Sequence, residues 1–327
     1  MTVLVTGGAG YIGAKLVESL LARREKVRVF DLRIESAPHL GRMGAELMAG
    51  DILDRAAVRP ALDGCDCLFH AAALFAMWQP DKRAYYEVNV EGTRNVLETA
   101  CEMGIERVVH TSSAVTIGEG RDELGHEATA HRGYFLSDYE RSKYLGEQVA
   151  LEMTQQGLPL VSVNPTTVYG PGQTEHMTGA LVRFLNGRLP AVVDARLNFV
   201  YIDDVVEGHL LAMHRGEVGQ RYILGGGNAS LVQFLSLAAE ITGVKREPRT
   251  VPGSLLKGAA RVMGALSKLT GRRPWVSPDE ARTALHSFIF DTERAREELG
   301  LGLTPLRQGL ERTVSWLQEE GLIGSDG

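Results

Sequence analysis

Tyr139 and Lys143 stand four residues apart, so in a helix their side chains share one face. A phenol beside an ammonium is a tunable proton donor, because the cation favours phenolate and draws the tyrosine pKa down from about 10 toward working pH. Such a phenol can pass a proton to or from a substrate oxygen while hydride moves at the adjoining carbon. Ser113, at the end of an apolar run over 107–112, would hydrogen-bond the same oxygen, with Ser112 in its place if the strand ends one residue earlier. A tyrosine and a lysine at this spacing also arise by chance as ordinary surface packing, so the weight of the pair depends on the chain around it.

Upstream lies Thr6-Gly-Gly-Ala-Gly-Tyr-Ile-Gly13, with Gly7, Gly10 and Gly13 around Tyr11 and Ile12. Glycine at a strand-to-helix turn lets backbone approach a pyrophosphate, whose charge then rests on the helix N-terminus. The run follows a short strand, opens a helix and precedes a second strand ending in Asp31, about 20 residues on, as a dinucleotide site requires. The Asp31 carboxylate can accept hydrogen bonds from both ribose hydroxyls and would repel a 2′-phosphate. NAD is therefore expected over NADP, a preference that Arg33 would soften.

The elements that must position these groups alternate. Thr2–Thr6, Val27–Asp31, Leu68–Ala73, Arg107–Ser112 and Pro159–Asn164 read as short apolar strands. Helical patterns fall at 13–24, Ala56–Leu62, Tyr85–Met103 and Asp138–Gln156. Strands apolar throughout, alternating with helices, predict an α/β Rossmann fold: a doubly wound parallel sheet covered on both faces. Past Thr166 the alternation breaks into a turn-rich Tyr169–Gly172, a helix over Met177–Asn186, strands at Ala191–Val193 and Arg221–Leu224, and a strand end running into a helix over Val200–Arg215. Helices follow at Ser230–Thr242, Leu255–Leu269 and Pro305–Glu320. The expected division is a cofactor domain over 1–166, joined by about 198–225, and a smaller, mostly helical substrate-binding domain over 167–327.

Several stretches carry a family resemblance: Thr6–Gly13, Gly50-Asp-Ile52, His70-Ala-Ala-Ala73, Asn89–Asn95, Thr111-Ser-Ser113, Tyr139–Lys143 and Asn164–Pro171. Across nearly its whole length the sequence resembles an extended short-chain dehydrogenase/reductase of the NAD-dependent epimerase/dehydratase family. The resemblance implies that Asp51 and Ile52 flank the adenine and that Ala71, Ala72 and Ala73 line the pyrophosphate and ribose. It further implies that Lys143 holds the nicotinamide ribose, that Pro165, Thr166 and Val168 pack near the nicotinamide, and that Ser112 and Asn89 belong to the cofactor site. Asn89 would begin a helix, Val90–Met103, that pairs with the Tyr139 helix across a homodimer interface. Trp78-Gln-Pro-Asp81, Asn198–Asp204 and Arg221–Gly226 are similar to the dihydroflavonol-reductase-like branch, which includes hopanoid-associated sugar epimerases. The resemblance to that branch implies ketone reduction or alcohol oxidation on fairly apolar substrates.

Two departures narrow the chemistry. Ser113 is followed by Ala114, Val115 and Thr116, without the Asp-Glu pair that sugar-nucleotide dehydratases use to eliminate water. Leu197-Asn198 stands where nucleotide-sugar epimerases carry Arg-Asp, although Arg183, Arg188 or Arg196 could still meet a diphosphate. Phe75, Trp78 and Met177, with Ser113, are the candidate substrate contacts, and Met77, Leu255, Leu256 and Met263 would add to an apolar pocket. Ordinary core packing is the bland alternative for each. His126 and His131 lack partners at metal spacing and read as surface residues, and His70 as structural; no metal is expected.

The 327 residues carry a net charge of −6, and no Lys/Arg block offers a phosphate-tracking stripe, so nucleic acid is not an expected partner. Cys65, Cys67 and Cys101 read as small buried hydrophobes, and reduced thiols fit a cytoplasmic protein. The chain enters a strand at once, leaving no room for a signal peptide. No apolar run reaches the roughly 18 residues of a membrane span. Leu255–Leu269, broken by Lys257, Arg261 and Lys268, reads as an amphipathic helix of a water-exposed protein, with a membrane-surface helix the lesser alternative.

Three functions compete. The leading one is reversible hydride transfer between NAD(H) and a secondary alcohol or ketone of a small apolar molecule. The second is a sugar epimerase that keeps its NAD bound. The third is a non-catalytic NAD sensor, for which an intact Ser113, Tyr139 and Lys143 have no use.

Overall fold

The computed structural model describes residues 1–76, 78–270 and 273–324. In chain order the first half runs β1 (Thr2–Thr6), α1 (Tyr11–Ala22), β2 (Lys26–Asp31), α2 (Pro38–Arg42), β3 (Glu46–Ala49), α3 (Arg55–Leu62), β4 (Cys67–His70), α4 (Arg83–Tyr86), α5 (Thr93–Glu102), β5 (Arg107–Thr111), β6 (Leu124–Gly125), α6 (Asp138–Gln155) and β7 (Leu160–Pro165). The second half runs β8 (Thr167–Tyr169), α7 (His176–Leu185), β9 (Arg196–Tyr201), α8 (Ile202–Arg215), β10 (Arg221–Leu224), β11 (Gly227–Ser230), α9 (Leu231–Thr242), α10 (Gly253–Thr270), α11 (Pro278–Ala284), β12 (Ile289–Phe290) and α12 (Leu306–Glu319).

Seven strands form one parallel sheet in the order β3-β2-β1-β4-β5-β7-β10. Every residue of β4 and β7 is buried, which is why these strands are apolar on both faces rather than alternating. One face packs Leu4, Leu68, Val108 and Leu160 against Val58, Val96 and Val149 from α3, α5 and α6. The other packs Val3, Val5, Val109 and Val161 with Leu16 of α1 and Leu210 of α8. The chain reverses its winding between β1 and β4, and the crevice at the carboxyl ends of those strands is where such sheets bind ligands.

A smaller sheet, β11-β9-β8, rests on an aromatic cluster in which Phe199 stacks on Phe234 at 4.3 Å and Tyr169 meets Phe234 edge-on at 5.3 Å. Asn198 joins this region to the large sheet. Fully buried, its Oδ1 accepts from Thr166 Oγ1 (2.9 Å) and the Gly226 amide (2.8 Å), while its Nδ2 donates to Asn228 Oδ1 (2.9 Å). The asparagine that distinguishes this sequence is thus a structural joint, and its neighbour Leu197 faces the crevice.

Several expected boundaries shift. The strand foreseen over Leu68–Ala73 stops at His70, and that over Arg107–Ser112 stops at Thr111, because the chain leaves the sheet there to form the crevice wall. Ala191–Val193 is not a strand, since Val192 makes a single bridge to Thr250. The helix foreseen over Tyr85–Met103 begins at Arg83 and passes through a π turn, Glu87–Gly92. β3, β6, β8, β11, β12 and α11 carry too little periodicity to have been read from the sequence.

Candidate active site

A cleft of about 2100 Å³ opens at the carboxyl ends of β1, β4 and β5. Its floor is the glycine turn. Gly7 has φ +73°, a left-handed conformation that favours glycine, and a Cβ there would lie 2.5 Å from the Ala72 backbone. A Cβ on Gly13 would come within 2.1 Å of the Gly7 carbonyl oxygen, so the loop can close only without side chains. α1 begins at Gly10 with no side chain capping it, leaving first-turn amides to meet an anion. The buried Tyr11 hydroxyl has no partner among the described residues. A capless helix start over a cradle of this kind fits the pyrophosphate of a dinucleotide.

Asp31 ends β2 at the rim. Its carboxylate accepts from the Ala9 amide at 3.0 Å and the Arg33 amide at 2.8 Å, which fixes it beside the turn with Arg33 exposed next to it. Asp51 and Ile52 line the next stretch, followed by Ala71, Ala72 and Ala73 on the loop after β4. Ser112, Pro165, Thr166 and Val168 also face the cleft. Asn89 does not. It is buried behind the wall, where its amide accepts from Leu74 N (2.7 Å) and donates to Leu74 O (3.1 Å) and Ser142 Oγ (2.9 Å). It clamps the loop after β4 to α6 and does not itself line the cleft.

α6 starts at Ser137, whose hydroxyl accepts from the Glu140 amide at 3.2 Å, and it carries Tyr139 and Lys143 on the cleft side. Ser113 lies close enough to the Tyr139 phenol to favour its ionised form, whereas the buried Ser112 Oγ has no partner among the described residues. The Lys143 ammonium donates to the Thr111 carbonyl at 2.9 Å. Here the expected electrostatics are reversed. Burial pushes the Tyr139 phenol up to about 12 and the Lys143 amine down to about 8, and no lysine charge lowers the tyrosine. Desolvation dominates at both groups, with Glu147 partly supporting the ammonium and Ser113 favouring phenolate.

What holds Ser113 escaped the sequence reading. Its carbonyl accepts from Thr116 Oγ1 (2.8 Å) and Asn164 Nδ2 (3.1 Å), and both donors also reach Glu147 Oε2, at 2.9 and 2.6 Å. Glu147 is buried on α6 and pairs with Arg221 at 2.9 Å. Its place four residues beyond Lys143 was the available signal. Thr6 Oγ1 (2.7 Å) and Thr93 Oγ1 (3.1 Å) both hydrogen-bond His70, and burial lowers its pKa to about 3, in keeping with a structural role.

Opposite the glycine turn the cleft is lined by apolar side chains. The Phe75 ring lies 4.8 Å from Tyr139 and 4.1 Å from His176, a residue at φ +51° that the sequence did not single out. Trp78, Met177, Leu256 and Trp275 continue this wall. Leu255 and Met263 are outside it, Leu255 turned to solvent, and Met77 lies outside the described residues. Arg183 reaches the cleft, while Arg188 and Arg196 do not. His126 is exposed, but His131 is half-buried between Phe135 and Tyr144. Among the described residues no cluster could hold a metal ion, and no helix is long and apolar enough to cross a membrane.

A parallel sheet with a glycine turn at its switch point and a Ser-Tyr-Lys set beside it defines a dinucleotide-dependent dehydrogenase class. The chain belongs to the NAD dependent epimerase/dehydratase family, whose model matches residues 3–225. It is an NAD(P)-dependent dehydrogenase/reductase of the extended short-chain type. The chain is 38% identical over 330 residues to a Synechocystis sp. protein carrying the provisional name dihydroflavonol 4-reductase, covering 98% of this chain and 95% of that one. It is 34% identical over 333 residues to the sterol demethylase protein B of Methylococcus capsulatus, covering 99% and 100%. The crystal structure of gox2253 superposes with a TM-score of 0.86 at 32% identity, covering 99% of each chain.

Proposed function

We propose that this protein interconverts a ketone and a secondary alcohol on a fairly apolar small molecule, with NAD(H) rather than NADP(H) as its partner. The placement of Ser113, Tyr139 and Lys143 together inside a cleft running from the glycine turn to an apolar wall, with Ser113 favouring the ionised phenol, carries this reading. The bound dinucleotide would supply or accept the hydride. In reduction, Tyr139 gives its proton to the carbonyl oxygen as hydride reaches the carbon, and solvent restores the phenol. Ser113 donates a hydrogen bond to the same oxygen, and Lys143 would steady the nicotinamide ribose. Gly7, Gly10, Tyr11, Ile12 and Gly13 would hold the pyrophosphate, and the Asp31 carboxylate the adenosine ribose.

The names of the relatives favour an apolar substrate: one is a sterol demethylase protein, another a dihydroflavonol reductase by its provisional name. The part over 1–166, with 198–225, would carry the cofactor, and 167–327 would shape the substrate pocket. α5 and α6, packed side by side, would form a homodimer interface. Arg183 in the cleft favours one second reading, a nucleotide-sugar epimerase with retained NAD.

The deciding experiment follows NADH absorbance with a panel of apolar ketones, for the wild type and Tyr139→Phe. The variant should bind NAD unchanged and lose about a thousand-fold in rate. An undiminished rate would overturn the mechanism, and silence across the panel with NAD released on denaturation would move the assignment to the epimerase.

A further inference from the structure

Glu147 places a charge where a charge is costly. It is 5% exposed, on α6, one helical turn beyond Lys143. Three groups donate to its side chain: Arg221 Nη1 to Oε1 at 2.9 Å, Thr116 Oγ1 to Oε2 at 2.9 Å and Asn164 Nδ2 to Oε2 at 2.6 Å. Among the described residues no acceptor faces it, so the group is held as the carboxylate. A buried ion pair adds little to stability, because desolvating both charges offsets their attraction. Its position explains it better. The Thr116 hydroxyl and the Asn164 amide also lie 2.8 and 3.1 Å from the Ser113 carbonyl oxygen, so the carboxylate anchors the turn on which Ser113 stands. In the other direction along α6, Glu147 is the anion that favours the charged form of Lys143. The other titratable groups against that lysine, Tyr139 on α6, His70 on β4 and His110 on β5, are all held neutral by burial.

We propose that Glu147 is a positioning residue of the reaction: one carboxylate that fixes Ser113 beside Tyr139 and keeps the Lys143 charge in the cleft. It does not line the cleft itself and acts only through these neighbours. Arg221, at the start of β10, balances it. The same guanidinium donates to the Glu127 carbonyl at 3.0 and 2.6 Å, in the loop that leads to α6. Arg221 thereby sets how much of the Glu147 charge acts on Lys143. The effect on rate rests on the ketone–alcohol reading of the site; the effect on the lysine does not.

Two measurements keep these apart. The first follows Lys143 across pH by the ¹³Cε NMR signal of the lysine-labelled full chain, assigned by its loss in Lys143→Arg. Glu147→Gln, which keeps the length of the side chain, should lower the lysine pKa by about one unit, and Arg221→Gln should raise it. The second is turnover of NADH with a ketone. Glu147→Gln should move the alkaline limb of kcat/KM down by the same amount. Below that limb, where Lys143 is charged in both proteins, kcat should fall about ten-fold through a displaced Ser113, with KM nearly kept. A Glu147 that is merely structural would lower the melting temperature and leave the limb and the lysine signal in place, which overturns the proposal. Lysine shifts of the same sign in both variants, or a kcat unchanged below the limb, overturn it as well. A wild type silent with every ketone removes the reaction reading instead, and the lysine signal then decides alone.

Discussion

On the sheet side of the cleft, Gly7, Gly10 and Gly13 present backbone, held by hydrogen bonds such as Gly7 N to Phe30 O at 2.9 Å and Gly10 N to Gly7 O at 3.0 Å. On the facing side, Phe75, Met177, Leu256 and Trp275 present side chains from loops and from α7 and α10. The first wall tolerates no added atom, since it is closed by contacts of backbone on backbone. The second can exchange one hydrophobe for another of similar volume. A dinucleotide offers the same pyrophosphate and riboses to every enzyme that uses it, so its wall can be rigid; substrate identity resides in the exchangeable one.

The largest effect should come from the rigid wall. Gly13→Ala places a Cβ 2.1 Å from Gly7 O, and displacing the turn at about 3 kcal/mol corresponds to about a hundred-fold in NAD affinity by titration calorimetry. Unchanged affinity would show that this wall is as adaptable as the other. At the junction of the walls, Ser113→Ala should lower kcat about a hundred-fold, and Ser112→Ala only by a small factor, because Ser113 and not Ser112 acts on the Tyr139 phenol. A reversed order would transfer the oxygen-positioning role to Ser112.

The pH dependence is smaller and reports the buried lysine. With its pKa lowered to about 8, Lys143 is charged below that pH and neutral above it. kcat/KM for ketone reduction should therefore fall by about five-fold between pH 8 and pH 9 and about ten-fold per unit beyond that, since kcat/KM follows the free enzyme's groups. A profile flat to pH 10 would mean that the lysine charge contributes nothing to turnover. Least of all, Phe75→Ala removes an edge-on ring contact worth about 1 kcal/mol at the exchangeable wall, raising KM about five-fold with kcat nearly kept.

Much of the sheet side was legible because its signals are local. Glycine spacing, an acidic strand end and a Tyr-Lys pair one helical turn apart are each visible within a few residues, and the structure gathers all of them around one cleft. The far side was less legible. Trp275 enters the cleft from a loop and His176 from the first residue of α7, neither marked by periodicity, and β8, β9 and β11 assemble a sheet from segments as short as three residues. Asn198 reads in sequence as a lost diphosphate contact and is in fact a buried joint, a distinction set by Thr166, Gly226 and Asn228 around it.

The sequence by itself determined the parallel sheet, the glycine turn at its switch point and the candidacy of Ser113, Tyr139 and Lys143, which line one cleft, because side-chain type and helical or strand period act over short range. Tertiary structure decided the electrostatics and the pocket. Burial, which no residue can impose alone, moves Tyr139 up and Lys143 down against the expected pairing. The clamp of Glu147, Asn164 and Thr116 on Ser113 joins α6, β7 and the turn after β5, and the choice of which face of α10 meets the cleft and which meets water is made by packing against α11.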